Sequence, residues 1–249
     1  MPIEALLSEQ YAARRRAAID PQHASPGLPE PGSTDGTRPA SAKLPQAAKG
    51  EPAPLADTSY VGVIDRHGNA FSATPSDGSS ATPVIPGTGL CPSSRGSQSW
   101  CDPTLPASVA PGKRPRLTPS PALALKNGRV YMPFGTPGND IQPQAMLQVF
   151  LNMTVFGMNP QAACEAPRFA TYSFPSSSEP HAYHPGRLNL EEHIPRSTGE
   201  ELTRMGHKVA WWPGLDWHAG AVCVVRRNEE TGVLEGAADP RRPAYALGW

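Results

Sequence analysis

The chain has 249 residues, of which 38% are hydrophobic, and this is enough to bury the core of one large domain or two small ones. Its Lys and Arg residues number 22, as do its Asp and Glu residues, so the formal net charge is zero. A chain without net charge creates no overall field that favours nucleic acid or an anionic membrane surface, so we expect no nucleic-acid partner. No window is apolar enough to predict a membrane span.

The N-terminus and the cysteines bear on the compartment. Residues 1–7 contain no apolar core of signal-peptide length, so the sequence as written predicts a cytoplasmic protein; a missing N-terminal sequence would leave the periplasm or secretion open. The four cysteines lack the C-x-x-C spacing of a metal site, and we predict free thiols that are mostly buried. A disulfide between Cys91 and Cys101 would fit only an exported chain. The other two cysteines are Cys164 and Cys223.

The first quarter of the chain predicts little ordered structure. Residues 4–18 have apolar side chains at roughly helical spacing, which predicts a short amphipathic helix, and Arg14, Arg15 and Arg16 lie near its end, where the helix dipole favours cations. Three arginines without interleaved aromatic residues are typical of a solvated face rather than a nucleic-acid patch. Residues 20–56 are rich in Pro, Gly and Ser, which predicts a linker. We therefore divide the chain into residues 1–57 and residues 58–249.

After residue 58 the pattern changes to short strands and helices of an α+β fold. The alternating apolar residues predict two β-hairpins, and apolar residues at helical spacing predict a helix that follows a Gly-rich turn. Ser197 and Glu200 resemble a capping box at the start of a later helix. The predicted hairpins are 60–64 with 70–74 and 122–125 with 129–132, the helices are 142–156, 161–166 and one closed by Gly206, the last strands are 207–211 and 219–226, and residues 167–195 are a loop.

Three histidines in the predicted loop invite a zinc site. His181, His184 and His193 fall within one stretch, but no acidic or thiol ligand stands at a recognised spacing, and proline interrupts the segment. We therefore predict no metal site.

Thr58 is the candidate active-site residue, because it stands where the linker meets the first predicted strand. If the peptide bond before Thr58 were cut, the residue would carry a free α-amine beside its hydroxyl, so that nucleophile and general base would share one residue. The alternative is that Thr58 is merely the first residue of a strand, since threonine favours strands.

A series of short motifs follows in one order from about Thr58 to the C-terminus. The motifs are Asp57-Thr58-Ser59-Tyr60, residues 65–69, Pro86-Gly87-Thr88-Gly89, Pro111-Gly112-Lys113-Arg114-Pro115, Ser120-Pro121, Gly135-Thr136-Pro137-Gly138, Phe156-Gly157-Met158, Ala166-Pro167-Arg168-Phe169 and residues 236–242. Together they resemble the small subunit of the γ-glutamyltransferase (γ-glutamyltranspeptidase) family. Members of this family are N-terminal-nucleophile hydrolases with an αββα sandwich, made as a precursor that cleaves itself into a large and a small subunit.

The resemblance implies catalytic roles for four residues. Thr58 would attack the peptide bond between Asp57 and itself during maturation and would then be the catalytic nucleophile, with its new α-amine as the base. Ser76 falls where the family has a second threonine that hydrogen-bonds the nucleophile. The backbone N–H groups of Gly138 and Asn139 match the oxyanion hole, and a Gly-rich turn that opens a helix does expose such donors. No metal or organic cofactor is implied.

The substrate-binding residues depart from the family pattern. Gln98 occupies the position of the carboxylate that holds the substrate α-amino group, and Gly78 replaces an asparagine near the nucleophile. A pair of substrate-binding serines is replaced by Leu117-Thr118, in which only Thr118 keeps a hydroxyl. Arg114 and Arg168 are interpreted as structural ion-pair residues, with substrate contact as the alternative.

The resemblance also implies a partner. The family's large subunit is several times longer than residues 1–57 and supplies half of the sandwich, so we expect this chain to form the other half, with the large subunit in the same precursor or in a separate chain. A sheet without its partner strands exposes edges and apolar surface. The leading functional hypothesis is an autoprocessing threonine hydrolase or transferase acting on small γ-glutamyl amides such as glutathione. The alternatives are an amidohydrolase or acylase with non-glutamyl specificity and a catalytically inert fragment.

Overall fold

The structure is a computed structural model, and it describes residues 2–34, 47, 49, 58–77 and 82–249. It has mixed helices and sheets, as the sequence predicts, and in these residues no helix is long and apolar enough to cross a membrane. The helices are α1 (Ile3–Leu6), α2 (Glu9–Ala17), α3 (Gln142–Thr154), α4 (Pro160–Glu165) and α5 (Arg196–Arg204). The strands are β1 (Val61–Ile64), β2 (Ala70–Ala73), β3 (Ala122–Lys126), β4 (Arg129–Gly135), β5 (Phe169–Thr171), β6 (Arg187–Glu191), β7 (Lys208–Trp212), β8 (Cys223–Arg227) and β9 (Leu234–Ala237).

The first predicted hairpin is confirmed as the antiparallel pair β1 and β2. Its turn is closed by Asp65, whose Oδ1 accepts hydrogen bonds from the backbone N–H groups of His67 (2.8 Å) and Asn69 (2.9 Å). This is the local side-chain chemistry that favours Asp in tight turns. The hairpin contacts strands β4 and β8 of the neighbouring sheet.

The second predicted hairpin, β3 with β4, forms one half of a four-stranded antiparallel sheet in the order β3-β4-β8-β9. Helix α3 packs on this sheet because its apolar residues recur at helical spacing. Met146, Val149 and Met153 of the helix are buried in one cluster with Met132 and Phe134 of β4. This cluster is the main core, and the turn between β4 and α3 lies at its edge.

The prediction of a loop over residues 167–195 is wrong, because β5 and β6 lie within it and join β7 in a three-stranded sheet. Strand β6 does not alternate between apolar and polar residues facing core and solvent, since its polar residues Asn189 and Glu191 are buried together with Leu188 and Leu190. Hydrophobic periodicity cannot identify such a strand. The sequence analysis likewise did not predict β9.

Two helix starts also differ from the predictions. The predicted helix over residues 4–18 divides into α1 and α2, because the side chain of Ser8 accepts a hydrogen bond from the backbone N–H of Tyr11 (3.2 Å) and starts a new helix. Neither helix buries a residue. The capping-box prediction is wrong, because α5 begins at Arg196 with Pro195 at its N-cap and no side-chain cap.

The prediction that the cysteines are mostly buried is only half correct. Cys164 is buried and Cys223 is half-buried, but Cys91 and Cys101 are exposed. The two exposed cysteines lie in the Pro-rich segment between β2 and β3, whose described residues contribute no buried hydrophobic side chain to the core. All four are free thiols, as predicted.

Candidate active site

Thr58 stands three residues before β1 and is half-buried. It forms a single antiparallel bridge with Ser76, and the neighbouring backbone N–H of Ser59 donates a hydrogen bond to the carbonyl of Pro75 (3.0 Å). The two side chains also meet, since Thr58 Oγ1 lies 2.7 Å from Ser76 Oγ. The hydroxyl of Thr58 is therefore held by a specific partner before any substrate binds.

Tyr60 fixes the approach of this segment to the turn after β4. Its ring lies over Gly135, where an added Cβ would come within 2.3 Å of the ring, so the packing requires a glycine. The Tyr60 hydroxyl is 3.0 Å from Ser72 Oγ, and burial raises the pKa of Tyr60 to about 12, so the phenol stays protonated at neutral pH. This packing brings Thr58 and Pro137 to the same groove.

Arg95 orients the hydroxyl of Ser76. Its guanidinium donates one hydrogen bond to Ser76 Oγ and another to Thr118 Oγ1 (3.2 Å). Because arginine can only donate, Ser76 Oγ accepts this hydrogen bond, and its own hydroxyl proton and its second lone pair remain for the contact with Thr58 Oγ1.

Two of the predicted substrate residues continue the same hydrogen-bond chain. Gln98 is only 1% exposed; its Nε2 donates to Thr118 Oγ1 (3.0 Å), and its Oε1 accepts from the backbone N–H of Thr118 (3.2 Å). The chain of hydrogen bonds thus runs from Thr58 through Ser76, Arg95 and Thr118 to Gln98. Sequence reasoning did not single out Arg95, although it stands three residues before Gln98, where the sequence departs from the family pattern.

Gly138 and Asn139 form the turn between β4 and α3. Their φ angles are +128° and +51°, which places both in the left-handed half of conformational space, and a short 3₁₀ turn over Asn139–Ile141 leads directly into α3. Both residues line a cleft of about 150 Å³ together with Trp217 and His218. Backbone N–H groups at the start of a helix can bind a developing oxyanion. Thr58 is not among the residues that line this cleft; its own groove reaches the turn at Pro137.

The turn is supported from beneath by Thr136. Its hydroxyl donates to the carbonyl of Pro137 (2.6 Å) and accepts from the backbone N–H of Ala221 (2.7 Å). Gly220 is required beside it, because φ is +81° and an added Cβ would lie 2.9 Å from Thr136 Oγ1. A Cβ on Gly138 would itself stand 3.5 Å from Gly220 Cα, so the two turns are in close contact.

Four buried charged residues hold these turns to the rest of the fold, and we call Arg168, Glu191, Asp239 and Arg241 the buried charge cluster. Arg168 Nη2 donates to Asp239 (2.5 Å) and Arg241 Nη2 to Glu191 (2.6 Å). The structural interpretation of Arg168 is thereby confirmed. Burial lowers the pKa of Arg168, while the pKa of Arg241 is raised because its two carboxylate partners outweigh the effect of burial. Asp239 also accepts from the N–H of Val222 (2.9 Å), beside the turn at residue 220.

The remaining predicted residues do not join this arrangement. Asp57 and Gly78 lie outside the described residues. Arg114 is exposed. His181 is stacked on Trp100 with ring centroids 3.8 Å apart, and in the described part of the chain no three His, Cys, Asp or Glu side chains come together as a metal site requires.

Comparison with known proteins places this geometry in a family. The chain matches the Gamma-glutamyltranspeptidase family over residues 1–249. It is 34% identical to the Acylase ACY 1 proenzyme of Pseudomonas sp. (strain SE83), covering 96% of this chain and 37% of the relative. It is 34% identical to the Oxamate amidohydrolase proenzyme of Klebsiella pneumoniae (78% and 36%) and 30% identical to the Glutathione hydrolase proenzyme of Pseudomonas sp. (strain A14) (100% and 42%).

Solved structures also match this chain. The structure of LmbA2991HD superposes with a TM-score of 0.87 at 38% identity, covering 97% of this chain and 42% of that one. The γ-glutamyltranspeptidase T380A mutant of Helicobacter pylori gives a TM-score of 0.60 at 27% identity, with 74% of this chain covering 100% of that one. The chain spans 36% to 42% of the length of the curated relatives named above. It belongs to the γ-glutamyltranspeptidase family of N-terminal-nucleophile hydrolases.

Proposed function

We propose that this chain carries the nucleophile of an autoprocessing threonine amidase, which transfers the acyl group of a small amide to Thr58 and from there to water or an acceptor amine. The observation that carries the proposal is the 2.7 Å contact between Thr58 Oγ1 and Ser76 Oγ at the entrance to β1. The names of the relatives, an acylase, an amidohydrolase and a glutathione hydrolase, support amide hydrolysis as the shared chemistry.

In the proposed reaction the α-amine of Thr58 accepts the proton of the hydroxyl as Thr58 Oγ1 attacks the amide carbonyl. The negative charge that develops on the carbonyl oxygen is stabilised by the backbone N–H groups of Gly138 and Asn139. Collapse of the tetrahedral intermediate breaks the C–N bond, and the leaving amine takes the proton. Water or an acceptor amine then attacks the ester on Thr58 and regenerates its hydroxyl. No metal or organic cofactor takes part in this scheme.

Maturation creates the α-amine that this reaction needs. Thr58 Oγ1 attacks the carbonyl of Asp57, the peptide bond becomes an ester, and water releases the new N-terminus. In this proposal residues 1–57 are the end of the large subunit and residues 58–249 are the small subunit. The match between about three quarters of this chain and the whole of the Helicobacter pylori chain supports that division.

The γ-glutamyl group is the acyl donor that family membership favours. One observation favours the second candidate, an amidase for non-glutamyl acyl groups. Gln98 is a neutral amide that is fully buried, and both ends of its amide group are hydrogen-bonded to Thr118. A neutral side chain at this position does not supply the charge that holds a substrate ammonium group.

The proposed partner is a large subunit that completes an αββα sandwich. The β1–β2 hairpin supports this, because Val61, Val63 and Phe71 are exposed although they belong to a sheet. Val63 and Phe71 are directly opposite each other in the register, so they form an apolar patch that another element can cover.

The activity test uses γ-glutamyl and simple acyl p-nitroanilides with wild-type protein, Thr58→Ala and the matched control Ser59→Ala, which alters an exposed neighbour. We expect wild type and Ser59→Ala to release nitroaniline and Thr58→Ala to release none. Equal turnover by Thr58→Ala would overturn the proposed nucleophile. A soluble, correctly assembled wild-type protein that stays uncleaved and inactive would instead identify an inert relative.

A further inference from the structure

Asp140 ties the turn between β4 and α3 to a loop that lies 37 residues further along the chain. Its Oδ1 accepts a hydrogen bond from the hydroxyl of Ser177 (2.6 Å), and its Oδ2 accepts one from the backbone N–H of Ser177 (2.9 Å). Asp140 directly follows Asn139, whose φ of +51° is uncommon for residues other than glycine. Such a conformation persists only where the surrounding structure fixes it, and the two hydrogen bonds from Ser177 provide a constraint of this kind.

The contact between Asp140 and Ser177 is sheltered from water. Ser177 is only 1% exposed, and the side chain of Asp140 is 17% exposed. The carboxylate also lies 3.7 Å from the guanidinium of Arg116, but that side chain is 52% exposed, so water screens the ion pair. Hydrogen bonds to a charged acceptor are stronger than those between neutral groups, and Ser177 therefore supplies the firmer hold on Asp140.

Ser177 belongs to residues 176–181, which we call the bridging loop. The loop is closed by its own polar groups: the backbone N–H of Ser176 donates to the carbonyl of Ala182 (2.8 Å), and Nδ1 of His181 lies 2.9 Å from the carbonyl oxygen of Ser176. The ring of His181 is buried as well. A closed network of buried polar contacts makes a loop rigid, so the two sides of the bridging loop keep a fixed spacing.

The other side of the bridging loop contacts the 3₁₀ helix Ser94–Gln98 and the residues that follow it. The backbone N–H of Glu179 donates to the carbonyl of Ser97 (2.9 Å). The ring of His181 stacks on Trp100, with ring centroids 3.8 Å apart and an angle of 7° between the ring planes. One polar and one aromatic contact thus fix the bridging loop to this segment.

These contacts connect the two halves of the proposed active site. Arg95 lies in the 3₁₀ helix and hydrogen-bonds Ser76 Oγ, which is 2.7 Å from Thr58 Oγ1. On its opposite side the bridging loop holds Asp140 through Ser177, and so it holds the turn that would bind the oxyanion. No residue of the bridging loop lines the groove of Thr58, so this connection runs outside the groove.

We propose that the bridging loop sets the position of the oxyanion-binding turn relative to Thr58, with Asp140 and Ser177 as positioning residues of the amidase reaction. The proposal rests on the function proposed above, because it assigns the turn its part in that reaction. Ser177 is too deeply buried to touch a substrate, so it acts through the turn. A displacement of about 1 Å between reacting groups can cost about 100-fold in rate, so the loss of this connection is measurable.

The test measures kcat and KM of processed protein with the acyl p-nitroanilide that wild type hydrolyses fastest, and rates are expressed per chain that begins at Thr58. We expect Ser177→Ala and Asp140→Asn each to lower kcat about 10–100-fold and to leave KM within about 2-fold of wild type, because the turn acts on the transition state rather than on the bound amide. Ser173→Ala is the matched control. The hydroxyl of Ser173 lies in the same stretch of chain and accepts from the backbone N–H of Gly186 (3.0 Å), so this variant should keep the wild-type kcat.

Three further measurements separate positioning from a merely structural role. Combining Ser177→Ala with Asp140→Asn should lower kcat by less than the product of the two single effects, because both variants remove the same contact. Trp100→Leu breaks the stacking on the opposite side of the bridging loop, and we expect it also to lower kcat at unchanged KM. A boronic acid with the acyl chain of the substrate forms a tetrahedral adduct with a hydroxyl nucleophile, so its binding should weaken by about the factor by which kcat falls.

Three results would overturn this inference alone. They are a wild-type kcat in Ser177→Ala or in Trp100→Leu, a loss that appears in KM instead of kcat, and unchanged binding of the boronic acid to variants with a reduced kcat. If processed wild-type protein hydrolyses no acyl p-nitroanilide, the proposed function is overturned together with this inference.

Discussion

Replacing Asp239 with asparagine tests whether the buried charge cluster holds the active-site turns in place. Asp239 accepts four hydrogen bonds: from Arg168 Nη2 (2.5 Å), from the backbone N–H of Val222 (2.9 Å), and from the backbone N–H (3.0 Å) and Nη1 (3.1 Å) of Arg241. Asparagine has one acceptor oxygen in place of two, and its amide N–H₂ would face donors. It would also leave two buried arginines with the single carboxylate of Glu191.

The expected loss of folding stability follows from this loss of charge balance. Removing one partner of a buried ion pair costs about 3–5 kcal/mol, because the remaining charge is left uncompensated. For a chain of this length, about 1 kcal/mol lowers Tm by about 2–4 °C, so Asp239→Asn is expected to lower Tm by about 6–20 °C. Activity should fall as well, because Asp239 binds the N–H of Val222, two residues beyond the Gly220 turn that packs on Gly138.

The assay is urea unfolding followed by circular dichroism, together with calorimetry for Tm. Glu229→Gln is the matched control, because it breaks the exposed ion pair with Lys126 and should leave Tm nearly unchanged. If Asp239→Asn unfolds within about 1 kcal/mol of wild type, the buried charge cluster does not have the structural role derived from its burial.

Three further predictions concern the hydroxyl partner of the proposed nucleophile, the crowded Gly220 turn and the reactivity of the thiols. Ser76→Ala should lower kcat about 10–100-fold with little change in KM, because it removes the partner of the proposed nucleophile. Gly220→Ala should destabilise the fold more than Gly232→Ala, since both have positive φ (+81° and +72°) but only Gly220 is crowded. Thiol reagents at pH 8 should label exposed Cys91 quickly and Cys164 only on unfolding, because burial raises the pKa of Cys164 to about 12.

Each of these predictions has a control or a contradicting result. Ser72→Ala removes a hydroxyl that contacts Tyr60 and should leave kcat near that of wild type; an equal loss in both serine variants would contradict the role of Ser76. Equal free energies of unfolding for the two glycine variants would show that the positive φ angle, and not crowding of the added Cβ, determines the cost of the substitution. Labelling of Cys164 at the rate of Cys91 in folded protein would contradict its burial.

The sequence predicted those elements whose signals are local. The turn at Asp65, the two hairpins and helix α3 each follow from spacing or turn chemistry within a few residues. Strands β6 and β9 were not predictable in this way. β6 places buried Glu191 against Arg241, 50 residues away, so its polar residues looked exposed in the sequence.

The candidate site likewise divides into residues with local sequence signals and residues that distant contacts bring together. The motifs around Thr58 and Gly138 carry the family resemblance, and the structure brings Thr58 and Ser76 into contact. The contact between Arg95 and Ser76 joins two residues that are 19 positions apart in the sequence, and no periodicity connects them. Sequence reasoning therefore identified the position where the family has a carboxylate, but not the cation that stands beside the nucleophile.

The central claim, that Thr58 becomes an N-terminal nucleophile, is tested most directly by the intact mass and N-terminal sequence of the purified protein after incubation at neutral pH. The account predicts a product that begins at Thr58, formed by wild type and absent from Thr58→Ala. A wild-type chain that stays intact even when a large subunit of the family is co-expressed, or a cleavage that Thr58→Ala still performs, would contradict it.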